Sequence, residues 1–248
     1  MIPIRDGIST RETPVVNYLL IAVNIIVYLV IALAGPATQE AIVARYAMVP
    51  AHFADGVTLA EIMTIFTSMF MHAGIAHLGG NMLYLWIFGD NVEDRLGHFR
   101  YLIFYLVGGV AASLIHMATN WGSELPTLGA SGAIAAVLGA YLVLFPGSKI
   151  VTLIPLGFFS RLTTAPAIVF LGLWFILQLF EGVMSFGGAD VSGVAFWAHV
   201  GGFVAGADPH AGLATDGRLM AGHAAHGWSH AFLCPCLAWA AGYGELCW

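Results

Sequence analysis

Four uncharged polar side chains lie within or beside the long apolar runs of this 248-residue chain, and they are the types acyl transfer requires: Ser131, His199, His77 and Asn81. A serine hydroxyl is a weak nucleophile until a base takes its proton, and a neutral imidazole within hydrogen-bond reach is the usual base. Ser131 sits in Gly129-Ala130-Ser131-Gly132, whose small residues leave room around the hydroxyl, and His199 is followed by Gly202 and Gly206. His77 and Asn81 are four residues apart, hence on one face of a helix. Both can donate to the negative oxygen of a tetrahedral intermediate, beside the backbone N–H of Ser131, at about 2.7–4 kcal/mol per donor. Each fragment also has a plain structural reading: small-residue runs and Gly-xxx-Gly are packing surfaces in membrane helices, and a buried His or Asn can tie two helices together. What favours chemistry is their common depth at the outward ends of three different apolar runs.

Those runs must position them, and they read as membrane spans. Hydrophobic residues make up 59% of the chain and charged residues 9%, against roughly 25% charged in a soluble domain. The net charge is −6 with no basic cluster, which argues against nucleic acid as a partner. Cys234, Cys236 and Cys247 all fall near the C-terminus, so no disulfide framework runs through the apolar body. A helix needs about 20 apolar residues to cross the hydrocarbon core, and the chain predicts spans over Pro14–Ala34, His77–Gly89, Tyr101–Met117, Leu128–Phe145 and Thr164–Phe180. Pro14–Ala34 is read as a retained span and not a signal peptide. Gly74, Gly79 and Gly80 divide the charge-free run from Ile62 to Gly89 into a dipping segment and a span. A sixth, short helix is expected over Gly193–Ala207, stopped by Asp208-Pro209. The expected fold is all-α and polytopic, with residues 1–13 as an N-terminal segment, 14–207 as the membrane domain and 208–248 as an atypical tail.

Arg5, Arg11, Arg95, Arg100, Lys149 and Arg161 lie on one side of these spans and only Arg45 on the other, which puts the N-terminus in the cytoplasm. The expected location is a bacterial inner membrane. The tail lacks helical period; besides an unstructured extension, His223, His226, His230, Cys234 and Cys236 offer metal-ligand types at a spacing that matches no usual structural zinc pattern.

With these motifs in this order, the chain resembles the rhomboid intramembrane serine proteases over residues 12 to 206. The resemblance rests on Gly129-Ala130-Ser131-Gly132, on His77 and Asn81 with His72 upstream, on Ala198-His199 followed by Gly202 and Gly206, and on Asn91-Val92-Glu93-Asp94-Arg95-Leu96-Gly97. It implies a six-helix bundle with a Ser131–His199 dyad, an oxyanion hole of His77, Asn81 and the Ser131 amide, and a Gly202/Gly206 face that lets the sixth helix approach the fourth. It also implies a partly submerged first loop over residues 46–76, a fifth span past which substrate enters, transmembrane proteins as substrates, and no cofactor or metal. Two positions depart from the family pattern. Ala135 stands where many relatives have an aromatic ring packed on the histidine, and Asp208-Pro209 ends a helix that normally continues, since an interior proline costs about 3 kcal/mol. The leading expectation is a serine endopeptidase that cuts transmembrane helices; the alternative is a catalytically impaired relative that only binds them. A transporter would want a charged or unwound midplane site. The metalloprotease motif His-Glu-x-x-His is absent, and Asp90 and Asp190 lie at span ends or in loops, where an aspartyl protease cannot use them.

Overall fold

The computed structural model describes residues 2–54, 56–156, 159–186 and 194–208. Helix α1 (Val15–Leu33) carries no charge, with Asn17 and Asn24 buried among its apolar residues, and ends before Pro36, which opens α2 (Pro36–Tyr46) at the position where a missing N–H costs nothing. A short turn (Pro50–Phe53) leads to α3 (Leu59–Ser68), whose first turn is closed by Glu61 accepting from the Thr58 N–H at 3.0 Å. Helix α4 (Ile75–Tyr84) continues through a π turn (Leu85–Gly89) into α5 (Asp90–Leu96), and Gly97, at φ 79°, separates α5 from α6 (His98–Thr119). Then follow α7 (Ser131–Leu144), α8 (Ala167–Met184) and α9 (Phe196–Ala207). The break between α3 and α4 falls at Gly74 as expected, but Gly79 and Gly80 lie inside α4, which starts at Ile75 and not at His77.

Of the six expected spans, α1, α6 and α8 are helices long and apolar enough to cross a membrane, by length and composition alone. Helices α7 and α9 have 14 and 12 residues, or about 21 and 18 Å at 1.5 Å per residue. Both are central: α7 is buried along most of its length, with α6 and α9 against it. Backbone meets backbone where α9 crosses α7. A β-carbon at Gly202 would lie 2.1 Å from the Gly132 carbonyl oxygen, one at Gly206 1.9 Å from that of Ala136, and one at Gly139 2.1 Å from that of Phe203. Dispersion contacts at this range, not apolar length, hold α9 in place.

The end of the bundle away from Ser131 carries an element the sequence did not announce, a three-stranded antiparallel sheet ordered β1 (Ile2–Arg5), β2 (Lys149–Leu156), β3 (Phe159–Pro166). Ile2 pairs with Leu153, and Lys149 with Pro166. The β-branched stretches Ile150-Val151-Thr152 and Thr163-Thr164 suit strands, so the expected start of the fifth span at Thr164 moves to Ala167, just after the extended Pro166. The run from Asn91 to Gly97 clasps the chain entry to this end. The Glu93 carboxylate, 1% exposed, accepts from the N–H groups of Val16 (2.9 Å) and Asn17 (2.7 Å) at the start of α1, and Asp94 accepts from those of Arg11 and Glu12. The Val16 and Asn17 groups are N-terminal donors that α1 cannot satisfy by itself.

Candidate active site

Ser131 is the first residue of α7, with Ala130 as its cap. The helix was expected from Leu128; residues 128–130 are instead a loop, so the Ser131 N–H is one of the donors with no intrahelical partner, at the positive end of the helix dipole. Gly129 makes this entry possible. Its φ is 139°, its N–H donates to the Ser68 carbonyl at 2.9 Å, and a β-carbon there would lie 2.9 Å from His77 Cε1, 3.0 Å from His77 Nε2 and 3.6 Å from Ser131 Oγ. The His77 ring and the Ser131 hydroxyl thus border one small gap that any larger residue would fill. The preceding loop is pinned by the Met48–Thr127 backbone pair and by Thr127 Oγ1, 2.9 Å from His116 Nε2.

His199 is the fourth residue of α9. Measured from the expected helix starts at Leu128 and Gly193, Ser131 and His199 lie three and six residues in; both observed starts, Ser131 and Phe196, fall three residues later, so the offset between the two is unchanged. Gly132, beside Ser131, faces Ala198, beside His199: a β-carbon at Gly132 would lie 3.7 Å from Ala198 Cβ, while Gly202 rests on the Gly132 carbonyl. Ser131 and His199 therefore stand on adjoining turns of two helices in backbone contact. Gly202 and Gly206 make the close approach expected of them. Helix α9 ends at Ala207, with Asp208 extended at ψ 115°, as befits a residue before proline; the stop falls after both glycines.

The imidazole of His199 is held from α8. Its Nδ1–H donates to Gln178 Oε1 at 2.5 Å, and the Trp174 ring lies 6.0 Å from it, with Phe196 edge-on at 6.5 Å. Sequence reasoning missed both α8 residues. The available signal was Gln178, the one uncharged polar side chain in the apolar α8, four residues after Trp174 and so on the same face. Ala135 is fully buried under Gly202, and the aromatic surface absent there is supplied by Trp174.

His77 and Asn81 share one face of α4, as the spacing requires, and Asn81 is 9% exposed. Asn81 Nδ2 donates to His72 Nε2 at 2.9 Å, which fixes His72 as the Nδ1–H tautomer and leaves Asn81 a second N–H. Burial, reinforced by His77, pushes His72 down to about 4, so it stays neutral and remains an acceptor. The His72 and His77 rings are in edge contact at 5.2 Å. Ser131 lines a cavity of about 30 Å³ whose wall is mostly apolar but includes the Ser68, Ser113 and Thr127 side chains, large enough for a water molecule. The tail residues His223, His226, His230, Cys234 and Cys236 lie outside the described residues.

A rhomboid domain model matches residues 59–208. The chain belongs to the rhomboid family. It is 32% identical over 194 residues to rhomboid protease GluP of Bacillus subtilis, covering 78% of this chain and 34% of that protein. It is 39% identical over 95 residues to mitochondrial rhomboid protein 1 of Saccharomyces cerevisiae, 36% of this chain and 27% of the relative. Against presenilin-associated rhomboid-like protein A, mitochondrial, of Danio rerio, it is 31% identical over 160 residues, 62% and 40%. The chain thus spans about a third of the length of the relatives it matches. The rhomboid match takes in His72, His77, Asn81, Ser131, Gln178 and His199, and ends where α9 ends.

Proposed function

We propose that this rhomboid is an intramembrane serine endopeptidase that cuts transmembrane helices of other proteins. What supports this is the close approach of Gly132, next to Ser131 at a helix N-terminus, to Ala198, next to His199, together with a His199 Nδ1–H that is already committed. Nε2 is then the nitrogen that can accept a proton from Ser131. In the first step Ser131 Oγ attacks the scissile carbonyl carbon, its proton passes to His199 Nε2, and the carbonyl oxygen becomes an oxyanion. The Ser131 N–H, the second N–H of Asn81 and the His77 ring are the donors proposed to hold it. His199 then protonates the departing amine, leaving an acyl-serine. A water from the cavity beside Ser131, deprotonated by His199, attacks that ester, and Ser131 takes back the proton.

In this reading the protein has six membrane-inserted helices, α7 and α9 being short because they are enclosed, and a cytoplasmic N-terminus, which opens the Ser131 end to the opposite face. Substrate helices approach past α8, which rests on α9 and only lightly on α7 and turns most of its apolar surface outward. The test is incubation of the purified, reconstituted protein with a single-span substrate, together with fluorophosphonate labelling. Parent protein is expected to cut and to label, and Ser131→Ala to do neither. A folded parent that does neither is the non-catalytic, helix-binding relative instead.

A further inference from the structure

We infer that Gln178 is a positioning residue for His199, and that through it α8 controls whether the base is ready to act. This rests on the protease reading above. A dyad without an acid leaves the imidazole two undecided features: which nitrogen carries the proton, and how the ring is turned about its bond to the backbone. Either tautomer can form in water, and only the Nδ1–H form presents Nε2 to a serine. An acceptor at Nδ1 decides both features at once. Gln178 Oε1 is such an acceptor, 2.5 Å from Nδ1, and an amide oxygen can only accept. Trp174, one turn earlier on α8, lies against the same ring at 6.0 Å and also against Phe203 at 5.9 Å, so the imidazole is held by one face of α8.

The source of this support matters as much as its existence. The elements that carry the nucleophile and the base, α7 and α9, are locked by backbone contacts at Gly132, Gly202 and Gly206. Helix α8 is joined to α9 by side chains: the Phe175–Phe203 stack at 4.7 Å, the Trp197 indole N–H donating to the Gly182 carbonyl at 3.0 Å, and the Gln178–His199 bond. A substrate helix that displaces α8 would remove the acceptor from His199 Nδ1 while leaving Ser131 and His199 where they are. The base is thus oriented while α8 is seated against α9.

The experiment uses the full chain in proteoliposomes with a single-span substrate and measures kcat, KM and the pH profile of kcat. Gln178→Leu keeps the size and removes the acceptor; kcat is expected to fall about tenfold, the scale of one lost hydrogen bond in the transition state, with KM within about threefold. Gln178→Glu keeps an acceptor and adds a negative charge, which favours the imidazolium. It is expected to retain turnover well above Gln178→Leu and to move the acid limb of the profile to higher pH. Unchanged kcat and profile in Gln178→Leu would overturn the assignment. So would equal losses in both variants with the limb unmoved, which is the pattern of a packing defect. If Gln178→Leu does not fold, the limb shift in Gln178→Glu decides alone. A parent that neither cuts nor labels with fluorophosphonate removes the protease reading itself, an outcome distinct from a parent that cuts as well as its Gln178 variants.

Discussion

At the scale of residues, the candidate side chains stood out because polar groups in an apolar environment have few uses, and their spacing carried over to the structure. His77 and Asn81 stand on one face of α4, and the offset between Ser131 and His199 survived errors in both helix starts. His72 stood out beside them in the sequence, but its bond to Asn81, made from the turn before α4, did not; nor did Gln178, which meets His199 from a separate helix. The Asn81 contact yields a residue-scale prediction. One N–H of its amide is taken by His72, so Asn81→Ala removes the other, the one offered to an oxyanion. Loss of such a donor costs about 10²–10³ in kcat, and KM is expected to stay within a few-fold, measured on the single-span substrate. His72→Ala should show a smaller drop of the same kind, because the amide stays but loses the group that orients it; an equal or larger drop in His72→Ala would show that His72 acts for itself.

At the scale of elements, apolar run length located α1, α6, α7, α8 and α9 to within a few residues, but it could not show how closely α9 packs on α7, which depends on glycine. Two glycines of similar appearance in the sequence have opposite surroundings. A β-carbon at Gly206 would fall 1.9 Å from the Ala136 carbonyl, whereas nothing lies within 4 Å of one at Gly172 on α8. Gly206→Ala must therefore push α9 off α7, at a cost of about 1–3 kcal/mol or more, and should lower both the thermal midpoint in detergent and the activity, since His199 moves with α9. Gly172→Ala replaces a flexible residue in open space and should raise the midpoint slightly, with helix propensity favouring alanine by roughly 0.8–1 kcal/mol. Equal midpoints for the two variants would contradict the packing described. The sheet was missed for a different reason. Residues 149–166 join two apolar helices, so a search for long uncharged runs treats them as a loop, and β1 lies nearly 150 residues from its partner strand.

At the scale of the whole molecule, the end away from Ser131 is organised by carboxyl groups that gather the N-terminal segment, α5 and α7. Asp6 Oδ2 accepts from Asn91 Nδ2 at 2.8 Å and from the Tyr141 hydroxyl at 2.7 Å, and Asp90 Oδ1 accepts from Asn91 Nδ2 at 2.8 Å, so two carboxyls converge on one amide. Burial raises the pKa of Asp6, and burial followed by the charge of Asp6 pushes Asp90 up to about 6. For a carboxyl whose folded value lies above its unfolded one, near 3.8, the folded state holds more protons between the two. Stability must then fall as pH rises through that window and level off on either side. The parent's thermal midpoint in detergent is accordingly expected to gain a falling contribution from this pair between about pH 4 and 6. Asp90→Asn keeps an oxygen acceptor toward Asn91 while removing the proton and the charge beside Asp6. Its midpoint should lose less than the parent's from pH 5 to pH 7, and the two curves should converge at acidic pH, where the parent's Asp90 is already neutral. Parallel curves across the range would show that the N-terminal segment is clasped to α5 and α7 without regard to the charge on Asp90, leaving Glu93 and Asp94, with their backbone partners in the N-terminal segment and α1, to hold it there.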